Sequence, residues 1–295
     1  MTTEHIQGTS RALIFLGLLI VSAVAASGVS TVLSGFIFGD VAAVVPGGAM
    51  PSGTTAWWQL HFQNLCSQAI GFGGAVWLAM RIWGQPTLAG FPGSKQGLLA
   101  PALILAILAT VASGPLLMTS YELNVALIPE GGVMEQVFKP LEEMLEALTA
   151  FLASGEGIQR VVILLSVAGL PAIFEELSFR GVLQPLLMKA TGSAFWGIAI
   201  TAVVFSAIHF QFYGFLPRVL LGALFGWLAH RSGSLVPGMA AHFVNNAMAA
   251  ITLWFTGSMT EDIVELTPTV LAIGTVLTGL ACLGFDRVIR HRRSA

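Results

Sequence analysis

The stretch VVILLSVAGLPAIFEELSFRGVLQPLLM, Val161–Met188, decides how the chain must be read. As a helix it is long enough to cross the roughly 30 Å hydrocarbon core of a bilayer, which takes about 20 apolar residues. Its centre is nevertheless interrupted by Glu175, Glu176 and Arg180. A charged side chain at the bilayer centre costs about 2.5–3.5 kcal/mol on insertion scales, so these groups must face a bundle interior or water and mark a functional site.

The remainder of the chain supplies the bundle. Of the 295 residues 55% are hydrophobic and only 9% charged, against about a quarter charged in soluble domains. Comparable apolar runs lie near Ala12–Phe38, Phe62–Trp83, Leu98–Met118, Ala194–His209, Phe215–Ala229, Leu235–Phe255 and Val270–Phe285. Spanning segments satisfy their backbone only as helices or closed barrels, and these long, unalternated runs exclude the barrel. The expected fold is all-α, a polytopic membrane helix bundle of about eight transmembrane helices. There is no internal repeat or low-complexity linker, so residues 1–295 read as a single membrane domain. The small-residue site Ala23-Val24-Ala25 resembles a signal-peptide cleavage site, but the apolar run continues to Phe38, which favours an uncleaved first helix.

Charge sets the orientation. Arg11, then Arg81 and Lys95, Lys189, Arg231, and Arg287, Arg290, Arg292 and Arg293 fall in alternate connections. Because cytoplasmic loops are rich in Lys and Arg, both termini are expected in the cytoplasm, and cytoplasmic tails on a compact bundle fit a bacterial inner membrane. Lys139, Arg160 and Arg218 break the pattern. The opposite face carries Glu122, Glu130, Glu135, Glu142, Glu143, Glu146 and Glu156 in the third-to-fourth loop, and Glu261, Asp262 and Glu265 in the seventh-to-eighth. Within the segment Tyr121–Gly157, Val137, Leu141, Met144, Leu145 and Leu148 recur at helical spacing, which predicts an amphipathic helix on the outer surface. Cys66 and Cys282 have no metal or redox spacing and read as packing residues.

Polar groups concentrate in the last spans but one. Glu176 and Arg180 are four apart and share a helix face, so they can pair; Glu175 is turned about 100° away, free to face another helix. His209 ends the fifth span, one turn after Phe205. His242 and Asn246 share a face of the seventh, with Asn245 beside them. A carboxylate can act as general base on water, an imidazole can help hold it, and an imidazole with an amide can donate to a developing oxyanion. Ser178 and Ser206 are the competing nucleophiles, but neither has a GxSxG context.

Three motifs stand in order on successive spans: Glu175-Glu176-Leu177-Ser178-Phe179-Arg180, Phe205-Ser206-Ala207-Ile208-His209, and His242-Phe243-Val244-Asn245-Asn246. Between the last two lie Gly222, Gly226, Arg231, Gly233-Ser234-Leu235 and Pro237. Across residues 157–250 this pattern resembles the CPBP family, the type II CAAX endopeptidases and bacteriocin-processing enzymes. The resemblance implies a glutamate-dependent endopeptidase in which Glu175 and His209 activate water and His242 with Asn246 forms the oxyanion site. Glu176, Arg180 and Asn245 are then supporting or substrate-binding residues. The implied partners are a membrane-associated protein or peptide substrate, prenylated or a precursor, and the lipid bilayer; no nucleic acid and no cofactor are expected.

Three other readings stay open. Two histidines and a glutamate are a zinc-type donor set, although no HExxH helix is present. A non-proteolytic membrane scaffold or immunity factor could keep the same fold. A transporter would also use intramembrane acids and histidines, but no paired halves with matching broken helices are evident.

Overall fold

A computed structural model of the chain describes residues 3–39, 44, 48–84, 100–256 and 266–294. The expectations for Lys95, for residues 98–99 at the start of the third span, and for Glu261, Asp262 and Glu265 lie outside the described residues. Among the described residues there is helix and no strand. Among these residues nine helices follow one another: α1 Thr3–Phe38, α2 Gly53–Trp83, α3 Ala100–Ala126, α4 Val133–Ala153, α5 Gln159–Thr191, α6 Ala194–Ala207, α7 Phe215–Ser232, α8 Val236–Thr256 and α9 Pro268–Ser294.

Five of these, α1, α2, α3, α5 and α9, are long and apolar enough to cross a membrane, and the chain is an integral membrane protein. The other three expected spans coincide with helices that fall short of that standard. Helix α6 is apolar but has only 14 residues, while α7 and α8 carry polar residues such as Arg218, His242, Asn245 and Asn246. The amphipathic segment also divides differently from its expected bounds. Tyr121–Ala126 prolongs α3, and the amphipathic helix proper is α4, which carries Pro140 in its interior.

Apolar side chains face both ways. Phe15, Phe179, Phe225 and Phe285 are fully buried between helices, while Leu13, Ile20, Val24, Phe36, Leu277 and Leu283 are exposed. Exposed apolar belts of this extent need lipid rather than water around them. Chain reversals use left-handed glycines: Gly192 (φ +67°) ends α5, and Gly233 (φ +68°) ends α7 with its N–H donating to Ala229 O. Only a residue without Cβ adopts this conformation at low cost.

The bundle has two unlike ends. At one, Lys189 donates to Gln7, Arg11 lies over Trp83, Arg231 pairs with Asp286, and Arg293 donates to Arg231 O. At the other, α4 closes over the bundle. His61 Nε2–H donates to Leu152 O (3.0 Å), Trp254 Nε1–H to Ala153 O (2.8 Å), and Phe138 stacks on Phe212 at 4.2 Å.

Candidate active site

The site begins with irregularity in the helices that carry it. Among the described residues three π-helical turns occur, Ser67–Phe72 in α2 and Leu164–Gly169 and Leu177–Leu183 in α5. The last two bracket Glu175 and Glu176, and the first contains Gln68. Each widens the helix by roughly one residue per turn and re-aims the side chains beyond it, a feature frequent at functional sites.

Glu176 is fully buried, and its Oε2, beside Gly238, has no hydrogen-bond partner among the described residues. Its Oε1 accepts from Arg180 NH1 (2.8 Å) and from His242 Nδ1 (3.1 Å). Arg180 also donates from NH2 to Gly222 O (2.9 Å), and its guanidinium lies 4.4 Å over the Phe205 ring and 5.6 Å over Phe225. Phe225 stacks on His242, with ring centroids 5.1 Å apart and 20° between planes. The expected pairing of residues 176 and 180 is present, and it reaches a third helix through His242.

Glu175 points elsewhere. Its Oε1 accepts from Gln68 Nε2 (3.0 Å). Its Oε2 is buried and has no hydrogen-bond donor within reach among the described residues. That oxygen faces His209 Nε2 and His242 Nε2, each at 3.9 Å. These gaps are too long for direct hydrogen bonds and short enough for one small oxygen group to touch both sides.

The two imidazoles are oriented through their far nitrogens. His209 follows the end of α6, beyond Ala207, where a tight turn closes with its N–H donating to Ser206 O. Phe210 then adopts φ +56°, rare for a bulky residue and a sign of local strain near a functional group. His209 Nδ1 lies 2.7 Å from Phe205 O; a carbonyl only accepts, so Nδ1 carries a proton and a neutral ring presents a bare Nε2 to Glu175. The loop is held by Asn124, whose Nδ2 donates to Phe212 O and Tyr213 O and whose Oδ1 accepts from Leu216 N.

A cavity of about 470 Å³ joins these groups, lined by Glu175, His209, His242, Asn245 and Asn246 together with Asn64, Thr149, Leu152, Gln211, Arg218 and Phe225. Asn246 Nδ2 makes one long contact to Val167 O (3.5 Å), and Asn245 Nδ2 donates to Asn246 Oδ1 (3.2 Å). All seven residues expected at the site therefore lie in or directly behind one cavity. The rival nucleophiles are committed elsewhere: Ser178 and Ser206 are buried and donate to Phe72 O and Phe215 O.

Glu175, His209 and His242 are zinc-type donors by chemistry, but among the described residues no group of three His, Cys, Asp or Glu is arranged to hold a metal ion. Three contributors were not singled out from sequence as site residues: Gln68, Asn64 and Arg218. The first two carry no local spacing signal, and Arg218 appeared only as an exception to the charge pattern.

Fold and site together define an integral membrane helix bundle with an acid–imidazole cluster in its interior. Residues 157–248 match the family model described as type II CAAX prenyl endopeptidase Rce1-like, in agreement with the CPBP resemblance of the motifs. The match covers the segment from the start of α5 into α8 and supports a CAAX-type intramembrane protease. No curated protein and no solved structure matches the chain.

Proposed function

We propose that the chain is a glutamate-dependent intramembrane endopeptidase that hydrolyses a peptide bond of a membrane-associated protein or peptide without a metal ion. The observation that carries this reading is the orphaned Oε2 of Glu175, buried and faced by two imidazole nitrogens at the same distance. An uncompensated acceptor of this kind is costly unless a bound group uses it.

A water between Glu175 and His209 donates one hydrogen to each, leaving its oxygen lone pair free for the substrate carbonyl carbon. As the C–O bond forms, Glu175 takes the water's proton and the carbonyl oxygen becomes an oxyanion. Asn246 Nδ2–H and His242 Nε2–H donate to it. His242 can do so only as an imidazolium, because Nδ1–H is already given to Glu176. Glu175 then returns its proton to the leaving amine as the C–N bond breaks.

By the positive-inside argument the basic end of the bundle, with both termini, is cytoplasmic, so the cavity and α4 lie toward the opposite face. Substrate then reaches the site from that face or sideways from lipid.

The test is cleavage of a membrane-anchored peptide library by purified protein in detergent. Glu175→Gln is expected to lower turnover on the order of 10²- to 10⁴-fold, the usual contribution of a positioned general base, and His242→Ala to lower it as well, with chelator without effect. Retained cleavage in both variants refutes the assigned site. Loss of activity on removal of stoichiometric zinc replaces the metal-free mechanism with a zinc one, and an inactive wild-type protein points to a scaffold.

A further inference from the structure

The cavity holds one cation that the proposed mechanism does not use. Arg218 lines it, and among the described residues it forms no ion pair. Its hydrogen bonds are NH1 to Gln211 O (3.1 Å) and NH2 to Gln211 Oε1 (3.0 Å). A guanidinium has five N–H groups, so three remain for a ligand. Glu142 and Glu175 act on it electrostatically but stay beyond contact distance.

The surroundings are built to hold this group still. A Cβ added at Gly214 would sit 3.0 Å from Arg218 NH2, so the glycine leaves the space in which the guanidinium lies. Gln211 fixes two of its nitrogens from the same loop that carries His209. Its location gives no helix stabilisation: Arg218 is in the first turn of α7, where the positive end of the helix dipole disfavours a cation. A clamped, unpaired guanidinium at a helix N-terminus and facing a largely apolar cavity is a site for a planar anion.

We propose that Arg218 binds a carboxylate of the peptide substrate and thereby sets which bond is cut. The inference rests on the endopeptidase reading and adds a specificity-determining residue to it. A cavity of about 470 Å³ is in the range that takes a drug-sized ligand, so the carboxylate must lie within a few residues of the scissile bond. It can come from a free C-terminus or from an acidic side chain.

A fluorescent, farnesylated tetrapeptide made as the free acid, as the C-terminal amide, and as an amide with one internal glutamate separates these sources. Wild-type protein is expected to cleave a carboxylate-bearing form with kcat/KM on the order of tenfold to a hundredfold above the plain amide, from one charge-assisted contact, mostly through KM. Arg218→Gln is expected to bring that ratio close to one, and Arg218→Lys to restore part of it as a point charge. A preference for the free acid assigns the chain terminus, and a preference for the glutamate form assigns the side chain. Equal cleavage of all three by wild type, or a ratio that survives Arg218→Gln, overturns the inference while leaving the protease reading intact. If wild type cleaves none of them, the protease reading fails for this probe. Anisotropy-detected binding of the same three peptides to wild type and Arg218→Gln then decides the inference separately: a carboxylate preference lost in the variant supports it, and equal binding overturns it.

Discussion

Glu175 and Glu176 are neighbours in the chain and opposites in their surroundings. Glu176 shares its Oε1 between Arg180 and His242, while its Oε2, also without a hydrogen-bond partner among the described residues, lies beside Gly238 and away from the cavity lining. Glu175 has one tethered oxygen and one left bare toward the cavity. Adjacent residues on a helix face directions about 100° apart, so a single pair of acids can serve two purposes. One completes a charge network that holds three helices in register, and the other stays available to chemistry. The difference shows that a buried carboxylate is read by its partners and not by its burial.

The largest expected effect breaks the locked half. Arg180→Met leaves Glu176 buried with only His242 as a partner, and breaking a buried pair in this way costs on the order of 3–5 kcal/mol. Thermal unfolding in detergent, followed by circular dichroism, is expected to shift markedly downward. An unchanged midpoint would show that Glu176 draws its stabilisation elsewhere.

The next effect sharpens the other half. Gln68→Ala removes the donor to Glu175 Oε1, and a hydrogen bond to a charged group contributes about 1.5–3 kcal/mol. Turnover should fall on the order of tenfold or more. Turnover that stays at the wild-type level would reduce Gln68 to a packing residue.

How much of this was legible in the sequence follows from where the partners lie. The three motifs sit within single helices or single turns, so their spacing shows which residues share a face. Gln68 is 107 positions from Glu175 in the chain and sits in an apolar run with no spacing partner, so only folding reveals the contact. The same is true of His61, whose ring meets Ser166 Oγ at 2.6 Å. The expected eight spans were harder to count, because apolarity weakens where α7 and α8 carry the site itself. The boundary at Tyr121 was misplaced because acidic residues begin inside α3, before the chain reaches α4. The π-helical turns leave no periodic signal over so few residues.

The smallest effect concerns α4, which covers the cavity. Burial, with help from Glu146, pushes the Glu142 carboxyl above its ordinary value of 4.5, against the Tyr213 N–H and Arg218. A raised acid binds its proton more tightly when α4 is docked. Its contribution to docking is therefore present below about pH 4.5 and is lost as pH rises through the higher docked value. Protection of α4 from hydrogen exchange should increase modestly on acidification from neutral pH, and Glu142→Gln should flatten that dependence. An identical dependence in the variant would place the titrating group elsewhere.

The central claim is that the two glutamates have separate functions, and the most direct measurement compares Glu175→Gln with Glu176→Gln for both turnover and thermal midpoint. The account predicts that Glu175→Gln keeps the midpoint near that of the wild type while losing cleavage, whereas Glu176→Gln lowers the midpoint because Arg180 and His242 lose their shared charge. Cleavage that persists in Glu175→Gln, or a midpoint that falls there as far as in Glu176→Gln, would contradict it.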